Sequence, residues 1–79
     1  MEKEMNYKDE RRKLMKEKIL YNIRQYTKVN GYPPSIDELG QLVGLSSKAT
    51  VSWYLGMLRA DGFVDWEPGK PRTLRVKEL

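Results

Sequence analysis

Ser46, Ser47, Lys48, Ala49, Thr50, Ser52 and Trp53 crowd four hydroxyls, an amine and an indole into eight residues, and Lys70 and Arg72 add two cations further on. Hydroxyls and cations at this density, beside a helix start, are the donors that phosphate oxygens and base edges accept from. They do not form a bond-breaking machine. The chain has no histidine and no cysteine to serve as base, nucleophile or metal ligand, and no glycine-rich phosphate loop. Its carboxylates are scattered, and the adjacent Asp37 and Glu38 point about 100° apart on a helix. No enzyme activity, cofactor, metal or small-molecule substrate is expected. Each polar residue also has a plainer role. Ser46 or Ser47 serves as a helix cap, and Lys48, Lys70 and Arg72 are singly explained by a solvated surface. Together the three cations make a phosphate clamp. Neutralising three to five phosphates gives a salt slope of roughly −3 to −5, weak for a single copy.

The elements that must position these residues are legible in Gly31-Tyr32-Pro33-Pro34-Ser35-Ile36-Asp37-Glu38-Leu39-Gly40-Gln41-Leu42-Val43-Gly44-Leu45-Ser46-Ser47. Gly31 and Pro33-Pro34 stop a preceding helix. Ser35 with Glu38 three residues on is a capping box. Ile36, Leu39, Leu42 and Val43 give this second helix an apolar face. Gly40, one turn before Gly44, lets the next helix cross closely, Gly44 ends the second helix, and Leu45 plugs the core under the turn. A third helix over about 47–60 follows, with Val51, Leu55 and Leu58 on its inner stripe and Ala49, Trp53, Gly56 and Ala60 opposite, taking about 100° per residue. This is the layout of a helix-turn-helix, whose second helix enters a DNA groove.

Before it, Met15, Ile19, Ile23 and Tyr26 recur at three- and four-residue steps with Leu20 beside them, which predicts an amphipathic helix from Leu14 to about Asn30. Residues 1–12 are dense in charge and read as a frayed segment or an exposed helical extension; residues 13–79 form the domain. After Asp61-Gly62, Phe63-Val64-Asp65-Trp66-Glu67 and Thr73-Leu74-Arg75-Val76 alternate as two strands about a turn at 68–72. The fold class is mainly α with a small β-hairpin: a winged helix-turn-helix of three helices plus a two-stranded wing.

Seventy-nine residues make one small domain, which buries only about 60–65% of its unfolded surface. No apolar run approaches the ~18 residues of a membrane span, and the charged N-terminus is no signal peptide, so no membrane contact and a cytoplasmic location are expected. The net charge of +4 is unevenly spread. Residues 1–28 hold nine Lys/Arg against five Asp/Glu, residues 29–62 two against three, and residues 63–79 four against three. The helix-turn-helix is nearly neutral, and the positive charge lies on the first helix and its amino-terminal extension.

The chain resembles the DNA-binding domain of LexA, the repressor of the bacterial SOS response, over about residues 17–76. The resemblance rests on Ile19-Leu20, Ile23, Gly31-Tyr32-Pro33-Pro34-Ser35, Glu38-Leu39-Gly40, Val43-Gly44-Leu45-Ser46-Ser47, Thr50-Val51, Leu55, Leu58, Asp61-Gly62-Phe63-Val64 and Pro68-x-Lys70-Pro71-Arg72. It implies that the third helix enters the major groove, with Ser47, Lys48, Ala49, Thr50, Ser52 and Trp53 at base- or phosphate-contacting positions and Lys70 and Arg72 in the wing. Trp53 and Tyr54 stand where that family has small, polar or charged groups, so its operator preference does not carry over. Asp65, Trp66 and Glu67 stand where many relatives are basic. LexA-type repressors also carry a self-cleaving Ser/Lys peptidase that dimerises them, and these 79 residues hold no counterpart.

The leading expectation is a sequence-specific regulator of transcription, repressor-like, that binds double-stranded DNA. The extra amino-terminal segment and the ending soon after the second strand favour a complete small regulator over an excised domain. Two-fold pairing is then expected through the amino-terminal extension or the exposed aromatics. Trp53 has three readings: a core residue if the helical register is one position off, a contact to a thymine methyl or sugar, or an anchor for a protein. The last belongs to a rival function, a protein-interaction winged helix that binds a repressor or transcription component through Trp53, Tyr54 and Met57.

Overall fold

A computed structural model describes residues 7–77 of the chain, with side chains from Asp9 onward. The first half of the 1–12 extension lies outside the described residues. Helix α1, Tyr7–Asn30, runs 24 residues, roughly 36 Å at 1.5 Å per residue. It thus starts seven residues ahead of Leu14, where the apolar pattern begins. The periodicity marks only the stretch that packs, whereas Lys, Arg and Glu sustain a helix on propensity and i,i+4 pairing. Only Ile19 and Ile23 of α1 are fully buried. Gly31, at φ 82°, takes the left-handed turn that ends α1, and its N–H donates to the Thr27 carbonyl.

Helix α2, Ile36–Val43, opens on the complete capping box: the Glu38 N–H donates to Ser35 Oγ at 3.1 Å, and the Ser35 N–H to Glu38 Oε1 at 2.9 Å. It ends at left-handed Gly44. Gly40 fixes how closely the next segment crosses, since a Cβ there would lie 2.8 Å from the Leu45 carbonyl oxygen and 3.3 Å from Val51 Cγ2. Leu42 departs from the expected apolar face and is 43% exposed. Leu39 and Val43 centre the inward stripe, and Leu42 falls about 80° from that centre on an ideal wheel. Helix α3, Lys48–Ala60, is capped by Ser47, whose Oγ accepts from the Thr50 N–H.

Val51, Leu55 and Leu58 of α3 close the core against Ile19, Ile23, Leu39 and Val43, with Val64 and Leu74 contributed by the wing. The wing pairs β1, Val64–Asp65, with β2, Arg75–Val76, antiparallel in the register Val64↔Val76 and Asp65↔Arg75. Both strands are shorter than the alternation predicts, because backbone donors beyond Asp65 find side chains instead of a partner strand. The Trp66 N–H donates to Asp65 Oδ1 and the Glu67 N–H to Thr73 Oγ1, both at 2.9 Å. The architecture is mainly helical, three helices and a two-stranded wing, the layout of a winged helix-turn-helix. No described helix is long and apolar enough to cross a membrane.

Candidate nucleic-acid interface

Because Val51, Leu55 and Leu58 face inward, the 3.6-residue period turns Ala49, Ser52, Trp53 and Gly56 outward as one strip, and all four are exposed. Trp53 is 48% exposed, so the register with Trp53 in the core does not occur. Its ring meets Tyr54 edge-on, centroids 5.0 Å apart, and the Arg12 guanidinium lies 5.2 Å from the Trp53 centroid. Ser46, Ser47 and Lys48 are exposed at the amino end of this strip, and Thr50 is half-buried at its side. Ser47 both caps α3 and stands on the surface, so the plain and the functional reading of this residue coexist. Lys48 Nζ is 3.4 Å from Asp37 Oδ1, with both side chains well solvated.

The wing cations are held differently from each other. Lys70 projects from the turn with Nζ 3.4 Å from Glu67 Oε1, and it is mostly exposed. Arg72 folds back against the body. Its Nη1 and Nη2 donate to Glu38 Oε1 and Oε2, each at 2.9 Å, and Nη1 also lies 3.3 Å from the Pro33 carbonyl oxygen. The guanidinium stacks 5.0 Å from the Tyr32 centroid. Arg72 has φ 58°, the only non-glycine among the described residues in that region, and these contacts hold it there.

The Glu38 carboxylate accepts four hydrogen bonds from three residues: two from Arg72, one from the Ser35 N–H and one from the Tyr26 hydroxyl, which donates at 3.1 Å. The Arg72 bonds, then the Ser35 N–H, hold its carboxyl down at about 2, against partial desolvation. Arg72 is correspondingly raised above its ordinary value, chiefly by Glu38. The acidic first wing strand is likewise engaged. Asp65 lies 3.1 Å from Arg59 Nε and 3.1 Å from Arg75 Nη2, and its carboxyl is lowered first by the Trp66 N–H and then by these cations. The Arg59 guanidinium also stacks 4.2 Å from the Trp66 centroid. Asp65 and Glu67 therefore face their own arginines and lysine.

The pairings of Arg72 with Glu38, Arg12 with Trp53 and Asp65 with Arg75 all go unread in the sequence. For Asp65 and Arg75 a signal was there, since opposite charges in two alternating strands pair across a hairpin. The other two pairs, far apart in the chain, had none.

The family described as LexA DNA binding domain matches residues 12–73 of the chain. The LexA repressor of Geobacillus thermodenitrificans is 42% identical over 60 residues, 76% of this chain and 29% of that repressor. The LexA repressor of Shouchella clausii is 43% identical over 63 residues, 80% of the chain and 30% of the relative. That of Lacticaseibacillus casei is 48% identical over 58 residues, 73% and 28% of the two. The chain spans less than a third of the length of these curated relatives.

Proposed function

The chain belongs to the LexA DNA-binding domain family, and from that premise we propose that it binds double-stranded DNA sequence-specifically and represses transcription. The matched domain is a DNA-binding one rather than a catalytic one. Helix α3 enters the major groove with Ala49, Ser52 and Trp53 toward base edges and Thr50 at the side. Ser46, Ser47 and Lys48 meet phosphate at its amino end, where the helix dipole adds attraction. Lys70 meets the backbone from the wing, and Arg72 serves the same surface by holding the wing in place. Pairing of two copies on a two-fold site, through the amino-terminal extension or the exposed aromatics, is part of the proposal, as is a cytoplasmic location.

The observation that carries the reading is the exposed strip Ala49–Ser52–Trp53 with capping Ser47 and Lys48 beside it. The strip is small at Ala49, so a groove wall can approach, and apolar at Trp53, so a thymine methyl can pack there. Titration of a duplex by fluorescence anisotropy across a salt series tests it with Lys48→Ala/Lys70→Ala. Both side chains are mostly exposed, so the fold is expected to tolerate both changes. The expected result is weaker binding and a salt slope shallower by roughly one to two, because each neutralised phosphate adds about 0.9 to the slope. Unchanged affinity and slope would instead support a protein-binding module anchored on Trp53.

A further inference from the structure

Helix α1 begins five residues before the segment that matches the family, and of its first three turns only half-buried Met15 packs against the core, whose first fully buried member is Ile19. Residues 7–18 hold six Lys/Arg against three Asp/Glu. Two side chains of these turns reach α3. Arg12 stacks on Trp53 at the middle of α3, and Lys16 Nζ lies 3.8 Å from Asp61 Oδ2 at its end.

We propose that Arg12 is a second DNA contact, delivered by α1 to the phosphate backbone that walls the groove occupied by α3. This rests on the reading of α3 as the groove helix. The major groove is about 12 Å wide and a helix with its side chains about 10–12 Å, so α3 fills it from wall to wall. A cation displaced sideways by one side-chain layer from a groove-lining residue therefore meets the wall. Arg12 is displaced from Trp53 by that amount, 5.2 Å. A guanidinium suits the position, because its face stacks on an indole while its edge donates to phosphate oxygens. The stack also orients the Trp53 ring, so α1 and α3 act on one stretch of duplex. The charge concentrated on α1 complements the DNA backbone, whereas the nearly neutral helix-turn-helix supplies little such attraction.

The test compares the full chain with Arg12→Ala, and with Lys28→Ala at the far end of α1, on the preferred duplex across a salt series, with sedimentation of the free proteins alongside. Arg12→Ala is expected to weaken binding about 5- to 20-fold and to make the salt slope shallower by about one. Lys28→Ala leaves the slope unchanged. Combined with Trp53→Ala, the Arg12 effect is less than additive, as for two groups that touch. If the parent binds its preferred sequence and Arg12→Ala keeps affinity and slope, the inference is overturned while α3 remains the reader. A changed oligomeric state with an unchanged slope also overturns it and makes this segment a pairing surface. If the parent prefers no sequence, the reading of α3 fails and the inference with it.

Discussion

Arg72 and Glu38, 34 positions apart in the chain, close a two-pronged ion pair with both bonds at 2.9 Å. The pair joins the wing to the first turn of α2, where Glu38 also completes the capping box with Ser35. A carboxylate at a helix amino terminus is favoured by the dipole, and a planar guanidinium matches both its oxygens. One side chain thus caps α2, accepts the Tyr26 hydroxyl from α1 and anchors the wing. Together with the direct tie of Arg59 on α3 to Asp65 and Trp66, that junction sets where the wing sits.

Stability should depend on acid through Glu38. Its carboxyl is lowered from 4.5 to about 2 in the fold, so the unfolded chain binds the proton more readily. The stabilisation is fully present above pH 4.5 and is lost as pH falls toward 2. Asp65 is lowered too and adds to the same trend. Melting temperatures measured from about pH 6 to about pH 2 should fall more steeply for the parent than for Glu38→Gln. Parallel curves would contradict this account of the pair.

Replacement of Arg72 by alanine should lower thermal stability and weaken DNA binding while leaving the salt slope unchanged, because its charge faces Glu38. In a double-mutant cycle, Arg72→Ala with Glu38→Gln should cost clearly less than the two single changes added together. A slope shallower by about one in Arg72→Ala would show direct phosphate contact instead.

Gly40→Ala should destabilise the domain. Its Cβ would meet the Leu45 carbonyl oxygen at 2.8 Å, and a backbone atom cannot swing aside to make room. Overpacking of this kind costs about 1–3 kcal/mol. A thermal melt should show a drop of several degrees, and an unchanged midpoint would mean that α2 and the following turn have slack.

Ser47→Ala separates capping from DNA contact. Loss of the Thr50 N–H partner should cost about 0.5–2 kcal/mol by chemical denaturation. Ser47→Asp restores a cap but brings a negative charge to the proposed phosphate site. Recovery of stability together with a further loss of DNA affinity is expected, and recovery of both would remove Ser47 from the interface.

The parts legible in the sequence are those fixed by near neighbours. Ser35 and Glu38, Gly44 and Ser47 act within four residues, and the inward stripe Val51, Leu55 and Leu58 follows from helical period alone. Gly40 was readable because a missing side chain one turn before a helix end has few other uses. The start of α1 was not, since exposed turns carry no apolar signal. Leu42 failed because an eight-residue helix offers a stripe wider than the core uses. The pairing of Arg72 with Glu38 needs the fold to bring residues 34 positions apart together, and only the approach of α1 to α3 sets Arg12 on Trp53. The residue types at the interface are readable, but their partners depend on packing.

Selection of bound sequences from a random duplex pool, with the survivors titrated across salt, asks whether this domain reads DNA sequence. One enriched motif that retains its preference at ~150 mM salt is expected, and two-fold symmetry in that motif would report paired copies. A pool without enrichment, whose residual binding disappears by that salt, would contradict sequence-specific binding.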